Sequence, residues 1–100
     1  MNQIERIEHF EKIFDETSEA VADLLAALEK YAAVQGKYFD LMNYYSGDWI
    51  KDYEDDENGK IPKDLKRGVL SQDGVYDLIT DNRELQIKIM EIFADILCKG

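Results

Sequence analysis

Apolar residues recur along the first half of the chain at alternating intervals of four and three. Ile7, Phe14, Val21, Leu28, Gln35 and Met42 share one heptad position, and Phe10, Thr17, Leu24, Tyr31, Tyr38 and Tyr45 share a second. That spacing lays a stripe along an α-helix. A third position in the same register reads Ile13, Ala20, Ala27, Val34 and Leu41. It widens the apolar face beyond the narrow seam of a two-stranded coiled coil and suits a bundle. The opposite face is charged, with Glu8 and Lys12 one turn apart; such pairs add only tenths of a kcal/mol each. No proline interrupts the run, and Gly36 sits on the polar side, where it costs about 1 kcal/mol against alanine without breaking the stripe. The pattern predicts one helix over about 3–45, with a bend allowed at Gly36.

Ser46, Gly47 and Asp48 end that helix, glycine supplying a turn and aspartate a cap for the next start. Trp49, Ile50 and Tyr53 give a short second helix, about 48–57, its apolar edge. Asn58 and Gly59 both tolerate positive φ and stop it. Pro62 sets an extended approach at Ile61 and opens a single turn through Leu65. Ser71 is placed to accept from the free N–H groups of a new first turn, with Leu70 stapled onto Val75. Val75, Leu78, Ile79, Asn82, Leu85, Ile89 and Ile92 then repeat at helical spacing, predicting a last helix over about 72–98.

Helix lengths constrain the architecture. At about 1.5 Å per residue the first helix is about 65 Å long and the last about 40 Å. The surplus of about 25 Å is apolar on one face, and the segment 46–71 is the right size to fold over it. The expected fold is therefore all-α and a single domain over 1–100. It has two long antiparallel helices, with the short middle helix and an ordered loop packed over the longer one. Two helices make a thin core, which favours a homodimer closing a four-helix bundle.

Composition narrows the partners. With 22 acidic and 12 basic residues the net charge is -10, which repels phosphate backbones and anionic lipid surfaces and argues against direct nucleic-acid binding. No stretch approaches the roughly 20 apolar residues of a membrane span. The start, MNQIERIEHF, has neither the basic region nor the apolar run of a secretion signal. Cys98 is the only cysteine, so no internal disulfide forms and a reducing, cytoplasmic setting is expected.

Candidate chemistry is sparse. Six of the eleven aromatic residues, Tyr38, Phe39, Tyr44, Tyr45, Trp49 and Tyr53, crowd around the first turn. Such a cluster is either a corner core or a recognition surface, since rings with polar tips suit both. The acidic run from Asp52 to Glu57 is followed by Lys60, Lys63, Lys66 and Arg67. This arrangement either closes as an electrostatic clasp or leaves the basic island to receive an acidic group. Glu54, Asp56, Asn58, Gly59 and Ile61 follow the first eight offsets of a calcium-binding EF-hand loop, but the twelfth place is Leu65, which has no oxygen to offer. His9 is the sole histidine and faces outward, so neither nucleophilic catalysis nor a di-iron centre has its parts. No glycine-rich phosphate loop is present, and no cofactor or metal is expected. Asn82 on the apolar stripe reads as a register or partner-choice residue.

The segment Gly59, Lys60, Pro62 to Leu65 and Lys66 to Ser71 (GKIPKDLKRGVLS), with the opening Ile-Glu-Arg-Ile-Glu, resembles a family of short bacterial proteins classed as a domain of unknown function. The likeness spans nearly the whole chain, with Gly36 departing from a continuous charged helix. It implies a small all-helical protein standing alone and brings no activity, cofactor or catalytic residue. The expected function is that of a protein-interaction or scaffold module, with Trp49, Tyr53, Lys63, Lys66 and Arg67 as its contact surface. Binding of, or enzymatic action on, a small anionic ligand at the Lys63 to Arg67 loop is one alternative. An acidic mimic of nucleic acid is the other.

Overall fold

A computed structural model describes residues 1–100. The chain is all-α: 81% of residues are helical and there is no strand. A long helix α1, Gln3–Tyr45, is followed by a short helix α2, Trp49–Glu57, a 3-10 turn at Gly68–Leu70 and a second long helix α3, Gly74–Lys99. The chain divides into two compact units, Met1–Met42 and Asn43–Gly100, with the boundary inside α1.

The first unit is a length of a single helix. It opens on a cap that the apolar pattern does not announce: the Asn2 side-chain oxygen accepts from the Glu5 N–H at 2.8 Å, and the Asn2 amide donates back to the Glu5 carboxylate at 2.9 Å. This satisfies one of the free N–H groups that every helix start leaves, with reciprocal support from the acidic residue three positions on. The helix runs unbroken through Gly36. A lone helix has nothing on which to fold its own stripe, and no residue of α1 is fully buried. Every position up to Ala27 is exposed, whereas Leu28, Tyr31, Gln35, Tyr38 and Leu41 are half-buried.

The second unit is held together by its turns. α2 ends in a Schellman arrangement: the Gly59 N–H donates to the Asp56 carbonyl at 3.0 Å and the Lys60 N–H to the Asp55 carbonyl at 2.9 Å. Gly59 takes the left-handed conformation this closure needs, with φ +74°. Pro62 opens the expected turn, the Leu65 N–H reaching its carbonyl at 3.2 Å. The two buried apolar residues of the molecule, Leu70 at 8% exposure and Val75 at 3%, then lie on either side of the α3 start. Ile79, Asn82 and Ile89 continue the half-buried face of α3.

Two expected caps are not used. Asp48 precedes α2 with helical angles, φ -71° and ψ -14°, and makes no side-chain cap. A capping side chain needs the extended conformation, from which it can curl back to the second or third N–H. Ser71 has that conformation, but α3 begins three residues later, at Gly74, behind an Asp73 that also lacks a side-chain cap. The Ser71 hydroxyl instead donates to the Gly68 carbonyl at 2.8 Å and closes the 3-10 turn. A 3-10 turn between Leu70 and its antecedents takes up residues that apolar spacing alone assigns to the helix.

Candidate functional site

The turn Ser46 to Asp48 brings the end of α1 against α2, and three of the six clustered aromatic residues, Tyr45, Trp49 and Tyr53, meet there, while Tyr38 and Phe39 contact each other. The Trp49 ring lies edge-on to Tyr45 and stacked on Tyr53, each with centroids 5.0 Å apart. Its indole N–H donates to the Val69 carbonyl at 2.8 Å, across twenty residues of chain. One side chain thus joins α1, α2 and the 3-10 turn, the apolar body packing while the polar edge is satisfied. Beside it the Tyr44 hydroxyl donates to the Asp52 carboxylate at 2.6 Å. The Tyr44 pKa is pushed up to about 12, first by that hydrogen bond, then by desolvation and by the negative charges of Asp52 and Asp48.

The basic island divides. Arg67 pairs with Asp56, and its second amine donates to the Lys63 carbonyl at 3.0 Å. Both partners are largely screened from solvent, with 31% and 17% of their side chains exposed. Lys60 makes a looser, exposed contact of 3.8 Å with Asp55. Lys63 and Lys66 are exposed. Of the residues singled out from the sequence, Trp49 and Tyr53 are therefore joined directly, and Arg67 is tied to the same helix through Asp56. The acid-then-base order supplies the clasp that the sequence offered as one of two outcomes. Which cation closes it depends on where the Pro62 turn carries the chain, and residue order does not carry that information.

A family model for a domain of unknown function, DUF4298, matches residues 7–92. The chain belongs to that family. No curated protein and no solved structure matches it. Within this DUF4298 chain, no group of three or more histidine, cysteine, aspartate or glutamate side chains is arranged to hold a metal ion. No helix is long and apolar enough to cross a membrane. Cys98 is exposed and unpaired by disulfide. His9 is exposed and makes an edge contact with Phe10 at 5.0 Å.

The surface that sequence reasoning underrated lies on α1 itself. Arg6, Ile7, Phe10, Glu11 and Phe14 line a shallow, open depression near the start of the helix. Phe10 is 55% exposed and Phe14 65%. The stripe was legible as a stripe. Its exposure on this stretch belongs to the helix by itself, since a single helix cannot bury its own stripe and every residue up to Ala27 is exposed.

Proposed function

We propose that this DUF4298 chain is a protein-interaction or scaffold module whose principal contact face is the apolar stripe at the start of α1. The carrying observation is the run of large apolar side chains from Ile4 to Leu25, all exposed on one helical face. Contiguous exposed apolar surface of this kind marks a site of protein contact, whereas singly scattered apolar residues do not. The corner supports the reading in a second way. Trp49 and Tyr53 spend their rings on each other, and the Trp49 indole N–H is spent on the Val69 carbonyl, so the corner fixes the local fold and leaves the exposed stripe as the contact face. The small-anion alternative has less behind it, because Arg67 is already engaged by Asp56 and by a backbone carbonyl.

Copurification from the native cell tests the reading. The tagged chain is expected to retain a protein, whether another copy or a different chain, that a Phe14→Asp variant loses while its helical circular dichroism is unchanged. A wild-type chain that retains nothing, or a variant that retains the same protein in the same amount, would sink the proposal.

A further inference from the structure

The partner that fits the α1 stripe is a second copy of this chain, and we infer that two α1 helices pair antiparallel over residues 4–25, with the two-fold axis between Asp15 and Glu16. This inference rests on the stripe being a contact face, as proposed above, and goes on to name what covers it.

Exposure comes first. Every residue from Met1 to Ala27 is exposed, and the depression lined by Ile7, Phe10 and Phe14 lies within that stretch. A single helix cannot bury its own stripe, so this face stays open to a partner.

Area comes second. Eight large apolar side chains between Ile4 and Leu25 are each 43% to 68% exposed. At on the order of 100 Å² for each half-exposed side chain, they offer on the order of 800 Å² per copy, which is one side of a standard stable interface.

Complementarity decides the register. With the axis between Asp15 and Glu16, Ile7 faces the partner's Leu24, Phe10 faces the partner's Val21, and Phe14 faces the partner's Thr17. On the flank, Ile13 meets the partner's Ala20 and Ile4 meets the partner's Leu25. Each large ring is thus opposed by a smaller residue, which is how facing helices interdigitate without voids or overpacking. Glu11 faces the partner's Ser18. Sliding one heptad closer to the N-terminus sets Glu11 against its own copy, and like charges across the seam are disfavoured. A parallel pairing stacks Phe10 on Phe10 and Phe14 on Phe14, followed at once by an underfilled Thr17 layer.

Charge argues for a second copy over a basic helix from elsewhere. The acidic residues Glu5, Glu8, Asp15, Glu16, Glu19 and Asp23 occupy the outer positions of the heptad. Positions flanking the seam, which select a charged partner in paired helices, carry only Arg6 and Glu11 over this stretch. A seam so nearly free of charge has little with which to recognise a cationic helix and fits an apolar surface like itself.

The test uses the full chain with Cys98→Ser as the background. Sedimentation equilibrium is expected to give twice the monomer mass of 11.6 kDa, with Phe14→Asp weakening the dimer by about tenfold or more. Because that variant also perturbs a helix face, cysteine pairing provides an independent reading. Phe10→Cys mixed with Val21→Cys should oxidise to a disulfide-linked heterodimer, while neither variant should link to itself. Self-linking of Phe10→Cys would establish a parallel arrangement and overturn the inference. A mass of 11.6 kDa at high micromolar concentration would overturn it as well. If the copurification experiment still returned a different protein lost in Phe14→Asp, the interaction reading would survive and only the self-pairing would fall.

Discussion

Tyr44 shows how one side chain at an element boundary couples local geometry to a measurable property. Its hydroxyl proton is held by Asp52, and ionisation would set a phenolate against a carboxylate. In the unfolded chain this phenol loses its proton near pH 10, in the folded chain near 12. Between those values the folded form keeps a proton that the unfolded form has released. The stabilisation is therefore complete below pH 10 and disappears as pH rises towards 12. Denaturation midpoints measured over that window should fall more steeply for the natural chain than for Tyr44→Phe; parallel slopes would count against the Tyr44–Asp52 bond. Little of this was legible in the sequence. Tyr44 and Asp52 are eight residues apart across a turn, and the pairing depends on how Gly47 directs the chain. The clasp was more accessible, because charge order alone brings acids and bases together, although it does not choose Arg67 over its lysine neighbours.

At the scale of the elements, two glycines with opposite surroundings make the boundaries testable. A side chain added at Gly36 would meet nothing within 4 Å. Gly36→Ala should therefore stabilise α1 by about 0.5–1 kcal/mol, through the smaller entropy of the unfolded chain. At Gly74 an added Cβ would lie 2.3 Å from the Ser71 hydroxyl and 2.9 Å from the Gly68 carbonyl. Gly74→Ala should therefore destabilise by about 1–3 kcal/mol, by forcing apart the turn that Ser71 closes. Thermal unfolding of the two variants checks both signs, and equal shifts would refute the proposed start of α3. The helices themselves were readable because period and punctuation agree. Ile7 to Tyr45 keeps its spacing, Asn58-Gly59 stops α2, and Pro62 turns the chain. The caps were less readable. Asp48 and Ser71 are good capping types, but a cap also needs the right backbone angles at the right residue, and the 3-10 turn moves the α3 start past Ser71.

For the whole molecule, the governing quantity is a net charge of -10 set against a long apolar stripe. Two such chains repel at distance, and the pairing inferred above would set an apolar attraction at contact against that repulsion. Raising ionic strength from about 0.01 M to about 0.15 M shortens the screening length from about 30 Å to about 8 Å. The self-association inferred above should therefore tighten with added salt, the reverse of what a basic partner held by the acidic face would show. Sedimentation across a salt series distinguishes the two. The mismatch of helix lengths was legible from the apolar pattern alone, and with it the need for cover. The identity of the cover was not, because the face opposed to Phe10 or Phe14 belongs to no segment that local spacing can place. Trp49 also gives the molecule a private reporter. As the only tryptophan, wedged between two tyrosines and bonded to Val69, it makes tryptophan emission, excited beyond the tyrosine absorption, blind to the first forty residues and sensitive to the corner, whereas far-ultraviolet dichroism weighs α1 most heavily. Melting curves followed by light emission and by backbone ellipticity therefore watch different parts of one chain, and any gap between them measures how independently those parts let go.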